Sequence, residues 1–543
     1  MEATASMVAV AKYAELHRET LWAPGVSVGL TDRDRSLGVV VDGWARLEDT
    51  VPVDERHRFQ IGSISKGFTA LAVLRQVDAG RIDLDAPVTT YLPWFEVRST
   101  FTPITVHHLL SHTSGIVSGT DFTSGEAAEV WALRDTLVGF SPGTRFRYSN
   151  VGYKTLGLIL SAVTGEPWWE TVHRDVMNPI GMGDADVVIS RPSRERLAVG
   201  YSPPYDDRPW LARHGWVPAP WFDSATADGT ICASAEELTT YARCLLRRCE
   251  GIVSSASFDK MTTPVASPPA APGEHFGYGV KWIEDEGRRL LGHGGGMVGY
   301  SAYLLVDPNA GVGAVALMNS PYGDTARLAR FALDCVAAEV EGRDVPAVPA
   351  ARSPHDVDGA EAFAGVYRDD AGVLEVVAEG DRLFVVVERA TAERKRAPLE
   401  PVGEDAFGID DPDLELDPIS FVREDGKPSS AFWGSRRLDA AGARVRSPEA
   451  APPTADAVVG CYVSWNPWAP RFSVFLRRNE LWLCFVGETI DGGGDLRLTP
   501  LPDGSFRAGD EWSPDRVRFD MLVDGRAQRA VFDAAPYYRT ALG

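Results

Sequence analysis

Ser63 and Lys66 stand three residues apart in the stretch FQIGSISKGFTAL (59–71), a spacing that on a helix puts a hydroxyl and an amine on one face. A neutral amine there can take the serine proton and make the hydroxyl a nucleophile. That requires burial or nearby positive charge to lower the lysine pKa by several units from about 10.4. The same residues also describe an ordinary helix start, where Ser caps free backbone N–H groups. The pattern recurs at Ser257 and Lys260, in SASFDK, so spacing by itself decides nothing. The setting is more informative. RFQIG reads as a strand ending in Gly62, and AVLRQV continues at helical spacing. Ser63 is therefore placed in a first helical turn, among unpaired N–H groups and the positive end of the helix dipole. Ser257 and Lys260 have no such approach, and Asp259 is expected to keep that lysine protonated; the second pair is read as surface.

Two later motifs offer partners. In FRYSNVGY, Tyr148 and Asn150 lie just before a predicted helix. A phenol beside a lysine can pass a proton to a leaving group, and an Asn amide can orient a substrate carbonyl, although a packed aromatic with a helix cap gives the same pattern. In LLGHGGGMVGY, His293 precedes Gly294, Gly295 and Gly296. A Gly run between strands leaves N–H groups unshielded for a substrate lying along the strand edge, and the N–H groups of Ser63 and Gly296 together can hold an oxyanion; a plain strand-end turn is the alternative.

The elements that must position these residues are legible as pattern. GVSVGL and LGVVVDGWARL form a hairpin near the start, and FGYGVKWIED, RRLLGHGG, GYSAYLLVDP and VGAVALMNS are four further strands. Between them lie helical segments such as SKGFTALAVLRQVDAG, VGYKTLGLILSAVTG and AEELTTYARCLLRR. The prediction is an α/β (α+β) arrangement: an antiparallel sheet built from both ends of this part, flanked by helices, with a helical insertion between.

Pro- and Ala-rich stretches at Glu341–Asp356 and Arg446–Asp456 read as linkers. They set expected domains at 1–342, 357–445 and 456–543. The last two look like copies of one unit. FAGVYRDD from Phe363 matches VVGCYVSW from Val458, and DRLFVVVE from Asp381 matches NELWLCFV from Asn479; two more matches follow in the same order, ending at Phe407 and Phe506, then at Trp433 and Phe532. Short alternating runs broken by Asp-Gly turns predict two small antiparallel β-barrels.

A formal charge of −22 repels phosphate backbones and acidic membrane surfaces, so nucleic-acid and membrane partners are not expected. The six cysteines show no paired spacing and are read as buried free thiols; no metal or other cofactor is expected. The amino-terminal stretch reads as an amphipathic helix rather than a signal peptide, which makes a cytoplasmic location the expectation.

Ser63-x-x-Lys66, Tyr148-x-Asn150 and His293-Gly-Gly, in this order, resemble the motifs of the serine beta-lactamase and penicillin-binding protein superfamily, in its class C-like branch of D-aminopeptidases, DD-carboxypeptidases and esterases. The phrases GRIDLDAPVTTYLP and ITVHHLLSHTSGI are similar to stretches of that branch, and the resemblance runs from about Val8 to Val340. It implies a beta-lactamase-like domain, an acyl-enzyme at Ser63, Lys66 with Tyr148 as the proton-transfer pair, and Asn150 and His293 with Gly294–Gly296 as substrate-binding residues. Where many members carry Lys-Thr-Gly, this chain has His293-Gly294-Gly295. A partly charged histidine weakens carboxylate capture and makes beta-lactam hydrolysis and cell-wall carboxypeptidase activity less expected.

His-Gly-Gly with two appended, lipocalin-like β-barrels resembles a D-aminopeptidase plan. In that plan a loop of the last barrel, here Gly487–Asp495, reaches the active site, with Asp491 (or Glu488) meeting a substrate ammonium. His112 is expected to make a structural hydrogen bond, and Trp210, Trp216, Trp221 and Phe222 either wall a pocket or pack on the sheet. The expectation is a cofactor-free serine hydrolase, a D-stereospecific aminopeptidase or amidase acting on a small molecule or short peptide, as a possible homodimer. An esterase, an acyl transferase or peptide cyclase, and a silent ligand-binding scaffold are the alternatives.

Overall fold

The computed structural model describes residues 4–540 apart from 120–124, 206–209, 270, 322, 351–352, 354, 371, 389–393, 404, 410, 412–413, 415–417, 425, 435, 442–451, 453, 478–479 and 486–494. It divides into two compact units, one of Met1–Ser202 with Val217–Ala351, the other of Pro203–Trp216 with Arg352–Gly543.

The first unit is built on an eight-stranded sheet that draws its strands from both ends of the segment. Gly25–Asp32 (β1), Ser36–Arg46 (β2) and Val51–Pro52 (β3) come from the start. Glu274–Phe276 (β4), Lys281–Asp285 (β5), Arg288–Met297 (β6), Tyr300–Asp307 (β7) and Val312–Met318 (β8) come from the end. Their order is β3-β2-β1-β8-β7-β6-β5-β4, and the two groups join where β1 pairs antiparallel with β8, from Val26 opposite Met318 to Asp32 opposite Val312. At this joint β8, VGAVALM, is buried along its whole length, which is why it is apolar without alternation.

Ala5–Leu21 (α1) and Thr325–Val340 (α6) cover one face, with Tyr13, Val28, Leu305, Ala316, Leu328 and Val336 in a single core. Gly29, whose pleat points the other way, lies against Ala235 and Thr239 of Ala235–Leu246 (α5). The intervening chain contributes Ser65–Asp78 (α2), Glu126–Ala132 (α3) and Asn150–Thr164 (α4), with α4 packed on both α2 and α3. Local chemistry sets the helix ends. Ser149 caps α4 by accepting from Gly152 N–H at 3.1 Å, and Ser234 and Glu237 cap α5 reciprocally.

In the second unit, strands from Gly365–Arg368 to Arg436–Ala440 close one eight-stranded antiparallel barrel, and strands from Gly460–Val463 to Ala535–Arg539 close another. The repeat seen in the sequence is a structural repeat. The Tyr367 hydroxyl donates to the Phe363 carbonyl at 2.9 Å, and Tyr462, its counterpart, donates to Val458 at 2.8 Å. Both tyrosines are also closure points, opposite Ala440 and Arg539. Each barrel has its own apolar interior, around Leu383, Val385 and Phe421 in one and Phe472, Leu483 and Tyr537 in the other. The six cysteines are buried free thiols, and no helix among the described residues is long and apolar enough to cross a membrane.

Candidate active site

Phe59 and Gln60 pair with Ala233 and Cys232, and the chain then turns through a short 3-10 segment, Gly62–Ile64, into α2. Gly62 adopts φ +52° there, and any Cβ would lie 2.5 Å from the Gly296 carbonyl oxygen, so the turn demands glycine on both counts. Ser63 is thereby presented at the mouth of the helix, half-buried, while Lys66 one turn on is fully buried.

Lys66 Nζ lies 2.9 Å from Ser63 Oγ, 2.7 Å from Asn150 Oδ1 and 2.9 Å from the Asp228 carbonyl oxygen. The ammonium form donates to all three. The neutral amine keeps two N–H donors, which Asn150 Oδ1 and the Asp228 carbonyl accept, and its lone pair then faces the Ser63 hydroxyl. The same three partners therefore serve the amine before and after proton transfer. Tyr148 places its ring face toward this amine, with Nζ 4.9 Å from the ring centroid.

His112 lies behind Tyr148, stacked at 4.2 Å between ring centroids. It adopts φ +56°, and its Nδ1 accepts from Ser149 N–H at 3.1 Å, a structural hydrogen bond that ties it to the α4 cap. Burial, with the positive charge of Lys66 adding to it, holds His112 well below the ordinary histidine range, so it is neutral with its proton on Nε2.

His293 is on β6, whose pairing with β5 ends at Gly292 while its pairing with β7 continues to Met297. Residues 293–297 thus have a strand on one side and an open edge on the other among the described residues, with Gly296 exposed. Gly295 backs onto the nucleophile turn so closely that a Cβ would lie 1.9 Å from the Ile61 carbonyl oxygen.

The expected partial charge on His293 does not hold. Burial, then the positive charge of Lys281, bring its pKa down to about 3. Its Nδ1–H donates to the Gly294 carbonyl at 2.6 Å, leaving Nε2 as a buried acceptor with no hydrogen-bond partner. Phe276 packs edge-on against both His112 and His293 and completes an aromatic wall with Tyr148.

The structure brings Ser63, Lys66, Tyr148, Asn150 and His293 to one place with the Gly294–Gly296 edge. Asp491 lies outside the described residues. Trp210 and Trp216 stack on each other at 4.3 Å, whereas Trp221 donates to Asp223 at 2.9 Å and faces Arg194. Sequence reasoning missed Asp228 and Phe276. TADGT carries no recognisable signal, because the part of Asp228 that touches Lys66 is its backbone carbonyl. The second Ser-x-x-Lys is occupied differently from the expectation. Ser257 is buried and donates to Asp78 Oδ1 at 2.7 Å, and Asp259 pairs with Arg248 at 2.7 Å, not with Lys260.

Comparison with known proteins gives a match to the Beta-lactamase family model over residues 10–338. Penicillin-binding protein 4* of Bacillus subtilis is 26% identical over 392 residues, covering 67% of this chain and 83% of that protein. Among solved structures, the octameric penicillin-binding protein homologue from Pyrococcus abyssi aligns with a TM-score of 0.58 at 23% identity, over 86% of this chain and 96% of its own. That likeness establishes a shared fold. A D-stereospecific amidohydrolase from Streptomyces sp. aligns with a TM-score of 0.50 at 25% identity, over 61% of this chain and 98% of its own.

Proposed function

The chain belongs to the Beta-lactamase family, a family of serine hydrolases, and on that premise we propose that it is a serine hydrolase working through an acyl-enzyme at Ser63, acting as a D-stereospecific aminopeptidase or amidase on short peptides, amides or esters. The observation that carries this reading is the Lys66 amine, fully buried and held on two sides by Asn150 Oδ1 and the Asp228 carbonyl, with Ser63 Oγ at 2.9 Å on the third.

In this reading the neutral amine takes the Ser63 proton as Oγ attacks the substrate carbonyl, and the N–H groups of Ser63 and Gly296 hold the oxyanion. Tyr148, against Lys66, delivers the proton to the leaving amine or alcohol as its bond to the acyl carbon breaks. Water then cleaves the ester by the reverse path, returning Ser63 and Lys66 to their starting states. Asn150 orients the substrate carbonyl, and the open edge at 293–297 receives an extended chain.

The uncharged His293 supports amide or aminopeptide substrates over those recognised by a carboxylate. The likeness to a D-stereospecific amidohydrolase supports the stereochemistry. A cytoplasmic location belongs to the same proposal.

The test is intact-mass analysis of wild type and Ser63→Ala after a fluorophosphonate probe, followed by rates on D- and L-aminoacyl p-nitroanilides. One label on wild type, none on Ser63→Ala, and faster D-substrate turnover are expected. Label persisting on Ser63→Ala overturns the nucleophile, and equal D and L rates overturn the stereospecificity.

A further inference from the structure

Asp228 stands at the proposed reacting centre with a side chain that the mechanism above does not use. Its carbonyl is on Lys66 Nζ at 2.9 Å, and the next residue, Gly229, comes close enough to the nucleophile turn that a Cβ would lie 4.0 Å from Gly62 Cα. The residue as a whole is half-buried, but its Oδ1 is shut away from solvent and has no hydrogen-bond partner. A carboxylate oxygen is a strong acceptor, and leaving one buried and unmatched is unfavourable unless something else fills it.

The loop cannot easily swing this group away. The Ala227 N–H donates to Glu126 Oε1 at 2.8 Å, and the Ala227 carbonyl accepts from Thr69 Oγ1 at 2.6 Å. With the Asp228 carbonyl on Lys66, three consecutive peptide groups are clamped from α2 and α3. Glu126 is itself buried, and burial, with the nearby Asp228 adding to it, pushes its pKa well above the ordinary carboxylate range. A rigid carboxylate with an unmatched acceptor beside a nucleophile is preorganised for a small cation bearing N–H donors.

Resting on the acyl-enzyme reading, we propose that Asp228 receives the α-ammonium of the substrate's acyl group and so makes a free amino terminus the determinant of specificity. An α-ammonium is two bonds from the carbonyl carbon that Ser63 attacks, and Asp228 is joined to the Ser63–Lys66 pair through its own carbonyl. The role expected from Asp491 then falls to a residue of the catalytic unit itself. A second consequence follows. Because the Asp228 carbonyl also holds the Lys66 amine, binding at Asp228 also fixes the position of that amine, so the amino group should appear in kcat as well as in KM.

The experiment measures kcat and KM of the full chain for a D-aminoacyl p-nitroanilide, its N-acetyl analogue and a neutral p-nitrophenyl ester, in wild type, Asp228→Asn and Asp228→Ser. Fluorophosphonate labelling of Ser63 reports whether each variant is folded and competent. Wild type should prefer the free amine over the N-acetyl form, and both variants should lose that preference by about tenfold or more, with the ester affected least. A preference that survives in either labelled variant overturns the proposal. So does a wild type that labels at Ser63 yet ignores the amino group, an outcome that needs no variant. Wild type that fails to label at Ser63 overturns the acyl-enzyme reading instead, and the inference falls with it.

Discussion

Ser63 and Ser257 each stand three residues before a lysine near the start of a helix, and both are shielded from solvent to a large degree. Around Ser63 the lysine is the buried partner. Lys66 has no exposed surface, and its amine is shared among Ser63, Asn150 and a backbone carbonyl. Around Ser257 the lysine points to solvent, and the serine hydroxyl donates to Asp78, which also accepts from Ser254 N–H and Oγ–H. A hydroxyl already committed as a donor to a carboxylate has no base to give its proton to, because Asp78, held below the usual carboxylate range against the opposing effect of burial by the hydrogen bonds it accepts, keeps a proton poorly. The difference teaches that Ser-x-x-Lys becomes chemistry through what surrounds the amine, and burial of the lysine is the distinguishing term.

The largest test of that contrast is the pair of serine deletions. Ser63→Ala should lower kcat/KM for an activated ester by about 10⁴-fold or more, while Ser257→Ala should leave it within about twofold. The lysines follow: Lys66→Met should cost about 10³-fold in kcat with Ser63 still present, and Lys260→Met should change neither rate nor stability measurably. Equal losses at the two lysines would break the comparison.

A smaller effect concerns the aromatic wall. His112 and His293 have folded pKa values lowered below their unfolded value near 6.5, to about 3 for His293. The unfolded chain then binds more protons than the folded one below about pH 6.5, so the contribution of His293 is complete above that pH and is lost as pH falls toward 3, with a slope of up to about 1.4 kcal/mol per pH unit, and that of His112 is lost in the same direction. Unfolding midpoints in urea from pH 7 to 4 should fall less steeply in His293→Gln than in wild type. Because His293 stays neutral, kcat/KM should show no inflection from it between pH 5 and 9. The smallest effect is at Ser257, where loss of the bond to Asp78 should reduce stability by about 1 kcal/mol without altering the labelling of Ser63.

Much of the fold was legible because its signals are local. Alternation in DRLFVVVE and NELWLCFV marks strands of a barrel, and the repeated Tyr367 and Tyr462 mark its closure point whichever copy is read. The strand-to-helix approach at RFQIGSIS marks a helix start on Gly62. The candidate site was legible where a motif marks the side chain and illegible where none does: Asp228 enters through its carbonyl and Phe276 through ring packing alone. The charge state of His293 was misjudged for a related reason. Its surroundings include Phe276 from a nearby strand and Tyr148, far away in the chain, and burial outweighs the ordinary pKa of the residue type.

The sequence by itself determined which segments become strands and helices, that two carboxy-terminal units repeat, and which few residues are candidates for nucleophile and base, since each depends on neighbours within a turn or two of chain. The tertiary structure decided which Ser-x-x-Lys has a buried lysine, that Asn150 and the Asp228 carbonyl meet at Lys66 and Ser63 with His293 beside Tyr148, and that the Asp228 Oδ1 is buried without a hydrogen-bond partner. Those outcomes depend on contacts between segments far apart in the chain, such as the pairing of Phe59 and Gln60 with Ala233 and Cys232 and the packing of Gly62 on Gly296, and desolvation and hydrogen-bond matching are sums over all the atoms such contacts bring together.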